Sequence, residues 1–247
     1  MKKISFLLLA GWGFALTGDE LAQQIDERKI PIDSKVDLLM TLTNKKGKAR
    51  TFSLRSINKD DGAKQMIWFL SPPDDKGVSF LKMEHDDRDD EMRMWLPAFK
   101  KIRRISAKKR SDSFMGSDMS FEDLSSRQLD EFIFTLIGQE VYDSISCYLL
   151  ESIPKGNIRT EYSQHITWVD STLLIPLKEE SYDKFGQLLK EKYFSYTIIK
   201  EFQILSKIHV TNIQKHHSTT LNFDNIELDT GVEDNLFHER YLKRLPK

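Results

Sequence analysis

The stretch IRRISAKKRSDSFMGSDMSFEDL, residues 102–124, gathers arginines, lysines, hydroxyls and acids, the side chains best suited to chemistry. A serine flanked by acid could serve as a nucleophile, and SFMGSD places Ser113, Ser117 and Asp118 around a small-residue turn. The G-x-S-x-G frame is missing, and nothing in the sequence places a histidine beside either serine to take its proton. The six histidines, His85, His165, His209, His216, His217 and His238, are scattered. His216 and His217 are adjacent, so on a strand they point to opposite faces and cannot share a metal. No H-E-x-x-H pattern occurs, and Cys147 is alone, which leaves no cysteine cluster and no disulfide framework. We expect no catalytic residue, no metal and no cofactor.

Charge offers two further candidates. EHDDRDDE, Glu84 to Glu91, holds six acids, but no glycine interrupts it as the tight turn of a cation loop requires. It reads as a solvated hairpin end. The basic run Lys100, Lys101, Arg103, Arg104, Lys108, Lys109, Arg110 follows across MRMWLPAFKKIRRIS. If Met92–Leu96 pairs with Lys101–Ile105 around Pro97, Ala98 and Phe99, then Asp89, Asp90 and Glu91 meet Lys108, Lys109 and Arg110. Two readings of the basic run therefore stand: internal charge pairing, or recognition of an anionic headgroup or acidic partner surface.

These groups must be positioned by a chain that opens with Met1-Lys2-Lys3 and an apolar run from Ile4 to Leu16. That is the pattern of a secretory signal peptide, too short to span a bilayer comfortably, with a cut expected after Gly18. No cysteine stands near the cut, so no lipid anchor is expected. Residues 19–247 then form one exported, soluble domain. Loss of Lys2 and Lys3, with no acid, takes the net charge from −1 to −3, which argues against nucleic acid as a partner. With no disulfide, stability must come from a hydrophobic core.

DELAQQIDERK has helical spacing and ends at Pro31, after which the period falls to two. Val36, Leu38, Met40 and Leu42 share one face of VDLLMTLT, and Phe52 and Leu54 share one face of RTFSLRSI across a turn at Gly47. QMIWFLSPP, GVSFLKM, EFIFTLIG (Phe132, Phe134 and Leu136 on one side) and further segments make about eleven strand candidates. DNLFHERYLKRL returns to helical spacing. The fold class is mainly β: one large, curved antiparallel sheet with an N-terminal helix and a C-terminal helix, which closes into a filled barrel or keeps a cavity. Its apolar face is either an ordinary packed core or a cavity for an apolar ligand. The candidate lining is Val36, Leu38, Met40, Phe52, Leu54, Trp68, Met92, Met94, Leu96, Phe132 and Phe134, with methionine suited to loosely specified ligands.

FLSPPDDKGVSFL, HDDRDDEMRMWLPAFKKIRRIS and SFMGSDMSFEDL, within residues 69–124, resemble the exported outer-membrane lipoprotein-sorting-protein-like family, which is similar to the periplasmic carrier LolA. The positions that carry the resemblance are Pro72, Pro73 and Gly77, then Trp95, Leu96 and Pro97, Arg103 and Arg104, and Phe114, Met115, Gly116, Ser117 and Asp118. The resemblance implies an unclosed β-barrel draped over helices, with short lid helices and an apolar cavity for acyl chains. It also implies a periplasmic carrier of lipid or lipidated cargo, a transient membrane-surface contact and an inner-membrane RND-type exporter as partner. The carrier is expected to act as a monomer. The rival reading is a soluble adaptor that docks on an exporter through the basic stretch and carries no lipid. Met92-Arg93-Met94 departs from the aromatic or aliphatic residues expected before Trp95, and Arg93 should face away from the lumen. Residues 102–124 then form a strand, a turn and a descent into the fold. Gly116 supplies a backbone conformation barred to larger residues, Phe114, Met115, Met119 and Phe121 anchor the segment, and Asp118, Glu122 and Asp123 cap backbone donors.

Overall fold

The computed structural model describes residues 16–85, 88, 90–156 and 158–246. Residues 1–15 of the expected signal peptide, and Asp89 of the expected charge pairing, lie outside the described residues.

Helix α1 (Gly18–Asp26) starts at a capping box, in which Thr17 accepts from the Glu20 N–H and the Glu20 carboxylate accepts from the Thr17 N–H. A first meander follows: β1 (Asp33–Thr43), β2 (Ala49–Lys59), β3 (Lys64–Ser71), β4 (Ser79–Met83), β5 (Glu91–Leu96) and β6 (Lys101–Ile105). A crossover spans residues 106–131 and contains only short 3-10 turns at Ala107–Lys109 and Glu122–Leu124. The second meander is β7 (Phe132–Tyr142), β8 (Ile145–Pro154), β9 (Tyr162–Asp170), β10 (Pro176–Asp183), β11 (Leu188–Ile199), β12 (Phe202–Asn212) and β13 (His217–Leu228).

Within each meander every strand pairs antiparallel with its neighbour in sequence, and β1 pairs with β13 to join the meanders into one 13-stranded sheet. Edges remain at β6 and β7, so the barrel is not closed. The two strands beyond the expected eleven are β5 and β6, whose register Met92↔Ile105 to Leu96↔Lys101 is the pairing anticipated around Pro97. Asp143 and Ser144, both at positive φ, make the two-residue connection from β7 to β8.

Because side chains alternate, the sheet has two apolar surfaces. On the inner face of the first meander, Met40, Phe52, Leu54, Ile67, Phe80, Met92 and Met94 pack with Phe114 and Phe121 of the crossover. The outer face gathers Ile57, Met66, Trp68 and Leu81 under Val232, Phe237 and Leu242. On the second meander, α1 lays Leu21 and Ala22 on the inner residues Leu150 and Val169. Gly18 permits that docking, since a Cβ there would lie 2.5 Å from the Phe134 and Thr135 backbone.

The expected C-terminal helix is instead a pair of 3-10 turns, Asp234–Leu236 and Glu239–Tyr241. The reason is spacing. Val232, Phe237 and Leu242 dip into the outer face at five-residue intervals, which an α-helix would rotate off one side. Their path is fixed by polar anchors: the Asp33 carboxylate accepts from the N–H groups of Thr230, Gly231 and Val232, and buried Ser79 donates to the Leu242 carbonyl at 2.6 Å.

Candidate functional site

The crossover decides what space remains on the inner face. It leaves edge β6 and must reach edge β7, so it traverses the interior and fills half of it. Gly116, at φ +79°, turns the chain, and Phe114 then meets the rings of Phe69, Phe80 and Phe121 at 6.0, 5.4 and 5.7 Å. Ser117 donates back to the Phe114 carbonyl at 2.7 Å, and Ser113 donates to the Ser117 carbonyl at 2.5 Å. These hydroxyls hold the loop together. Asp118 accepts from the Thr219 hydroxyl on β13 at 2.7 Å, with His217 Nδ1 also at 2.7 Å.

Past Phe121 the crossover is tied to the second meander by charge. Asp123 lies 3.0 Å from Lys190 and 2.6 Å from Lys192, and accepts from the Tyr162 hydroxyl at 2.9 Å. Burial alone would push the Asp123 carboxyl up, but the two ammonium groups outweigh it and hold it well below the carboxylate range. Glu179 takes a bidentate pair from Arg127, at 2.7 and 2.8 Å, and lies 3.0 Å from Lys192. Burial, reinforced by the cations Arg127 and Lys192, keeps His165 neutral and far below its ordinary pKa. A buried network of this kind adds little net stability over an apolar one, but it specifies one position for the segment it grips.

Among the described residues, two mainly apolar cavities stay open on the inner face, with Arg127 and Glu179 also bordering the smaller and Arg28 and Asp61 the larger. One, of about 200 Å³, lies under α1 among Ala22, Ile25, Leu129, Phe134, Leu150, Val169 and Phe194. The other, of about 390 Å³, is bounded by the α1–β1 linker (Ile30, Pro31, Ile32) and by Val36, Tyr196, Leu205 and Phe223. Pro176 lines both. Burial pushes the Tyr196 hydroxyl well above its ordinary pKa, so it stays neutral.

The residues singled out from the sequence divide among these places. Met40, Phe52, Leu54, Met92 and Met94 sit in the filled core, with Leu38 and Leu96 packed against it. Val36 and Phe134 border the inner cavities, whereas Phe132 lines a polar recess beside Arg127 and Tyr162. Trp68 is on the outer face. Arg93 also lies there, pairing in register with Leu81 and bonding to Glu239, away from the lumen as expected. Arg110 reaches Asp90 at 2.6 Å, while Glu91 turns to Arg93. Arg103 and Arg104 stay exposed on the free edge β6 near Trp95 and Pro97, and Met115 packs against the core. No set of three or more metal-ligating side chains is gathered among the described residues, and none of their helices is long and apolar enough to cross a membrane.

Sequence reasoning missed the charged interior. Lys190 and Lys192, Glu179 and Ser181, and His165 and Thr167 each recur at the two-residue period of one strand face. That alternation reads as a solvent side. Only the ladder shows that all three pairs point inward.

Comparison with known proteins agrees with this architecture. A family model described as "Uncharacterized protein" matches residues 61–244. The solved structure of a domain described as an outer membrane lipoprotein-sorting protein, from Vibrio parahaemolyticus, is 32% identical. The alignment covers 92% of this chain and 98% of that one, with a TM-score of 0.87. A DUF1329 family protein from Desulfovibrio piger ATCC 29098 is also 32% identical, with 91% and 97% covered and a TM-score of 0.86. The LolA superfamily protein NE2245 from Nitrosomonas europaea shares the fold, with TM-score 0.73, 18% identity and 92% and 100% covered. No curated protein matches the chain. With a third of its residues shared across almost the whole Vibrio domain, on the same open sheet, the chain belongs to the outer membrane lipoprotein-sorting-protein-like family of the LolA-like fold.

Proposed function

We propose that this protein is a periplasmic carrier that holds lipid, or the acyl part of a lipidated protein, against the inner face of its open sheet. The observation that supports this best is the pair of apolar cavities beneath α1 and the α1–β1 linker, which the crossover leaves unfilled. Each buried CH₂ is worth about 0.8 kcal/mol, so one long acyl chain loses on the order of 10 kcal/mol when exposed to water. A carrier offsets that loss by supplying an apolar wall, and needs no catalytic group. Export through the N-terminal apolar segment, a soluble mature domain and hand-over at an inner-membrane RND-type exporter complete this reading.

The test is native mass spectrometry of the protein purified from its own envelope, followed by organic extraction. A stoichiometric lipid is expected, and it should be lost in Leu205→Asp and Phe223→Asp, two half-buried cavity residues. An empty protein that also takes up no added fatty acid overturns the carrier reading.

A second reading has its own support. Lys101, Arg103, Arg104, Lys108 and Lys109 are exposed on and just beyond the free edge β6, where an acidic partner could dock. An adaptor of this sort would bind an exporter salt-sensitively and carry nothing.

A further inference from the structure

We propose that the outer face of the sheet holds a second ligand site, for a single-chain amphiphile with an anionic head, beneath the C-terminal segment. A cavity of about 590 Å³ lies there, larger than either inner cavity and within the 300–1,000 Å³ range of small-molecule sites. Its walls are the outward residues of β13, β1, β2 and β3 on one side and the segment from Leu236 to Pro246 on the other. The sheet lies between it and the inner cavities, and Val36 of β1 borders both it and the larger of them.

Three features give the ligand its chemistry. The floor is apolar, built from Ile57 and Trp68 and roofed by Leu236, Tyr241 and Leu245, which suits an alkyl chain. Trp68 is 5% exposed, and its indole N–H is buried with no hydrogen-bond partner among the described residues. The N–H itself is closed off from the cavity, so it is the ring of Trp68 that a ligand meets. At the rim, Lys35 and Arg244 make no ion pair among the described residues, and Arg244 only lies over the Tyr241 ring at 5.6 Å. Of the two rim acids, Asp37 is held by Arg55 at 2.8 Å and by Asn225 at 3.1 Å, and Glu227 stands opposite Lys35 in the β1–β13 ladder without forming an ion pair with it. With the cations Lys35, Arg55 and Arg244 against the acids Asp37 and Glu227, the rim favours an anionic head, either carboxylate or phosphate. The roof is fixed rather than loose, since Ser79 holds the Leu242 carbonyl and Arg93 pairs with Glu239.

The full exported protein, delipidated and ¹⁵N-labelled, is titrated with dodecanoate and with dodecyl phosphate, each below its micelle concentration. The Trp68 indole resonance, assigned through Trp68→Phe, should move with either ligand, and the stronger response identifies the head. Arg244→Glu and Lys35→Glu are surface changes that leave folding intact, and each should weaken binding about tenfold. Leu205→Asp on the inner face should leave this titration unchanged, which separates the site from the carrier cavity. An indole resonance that stays put while ligand binds elsewhere, or equal affinity for the neutral dodecyl maltoside, overturns the proposal. So does unaltered affinity in the two charge variants.

Discussion

Asp123 Oδ1 and Lys192 Nζ are 2.6 Å apart, one on the crossover and the other midway along β11, with both side chains buried. They are 69 residues apart in sequence. Their contact marks where the segment leaving one edge of the sheet is fastened to the far meander.

Replacing Asp123 with Asn should therefore be severe. It leaves Lys190 and Lys192 buried without their shared counter-charge, a change that costs about 3–5 kcal/mol. Urea unfolding should show the loss. Hydrogen exchange should show residues 107–126 opening before the strands of the first meander.

Acid should weaken the fold in two stages. His165 is neutral when folded, with its pKa depressed by burial and by the neighbouring Arg127 and Lys192, although Glu179 and Asp123 oppose them. The unfolded chain binds that proton from about pH 6.5 downward, so stability falls as pH drops below that value. The Asp123 pKa is also depressed, because Lys192 and Lys190 overcome burial, and its contribution is present above about pH 3.9 and lost below it. Denaturation midpoints between pH 7 and 5 should slope, and the slope should flatten in His165→Gln.

Phe114→Ala should destabilise by about 3–5 kcal/mol, because four aromatic rings converge at that point and nothing nearby can close the gap. The same variant should gain affinity for fatty acids on the inner face, since the void joins the apolar surface of Phe69 and Phe80. Fluorescent fatty-acid uptake measures this directly.

The start of α1 bears on export. A cut after Gly18 would remove Thr17, whose side chain caps the helix, and such a loss costs about 1 kcal/mol. It would also remove Gly18 from its seat on the Phe134 backbone. We expect the exported chain to begin at or before Thr17, and N-terminal sequencing of the mature protein decides the matter.

The sequence by itself determined the strands. Two-residue alternation in VDLLMTLT and RTFSLRSI, the turn at Gly47 and the Pro97 hairpin all survive folding, because each is set by neighbours a few residues apart. The positive φ of Gly116 and the inward anchors Phe114 and Phe121 were expected from the family resemblance rather than from a local pattern. Which face each alternation served was not. The Lys190 and Lys192 pair has the polarity of a solvent side, and Trp68 has the look of cavity lining, yet the first points inward and the second outward. Only the pairing of β1 with β13, formed by strands nearly two hundred residues apart, closes the sheet enough to define an inside. The path of the crossover then decides which half of that inside is core and which half stays open. Alternation gives every strand two faces, and long-range packing alone chooses between them.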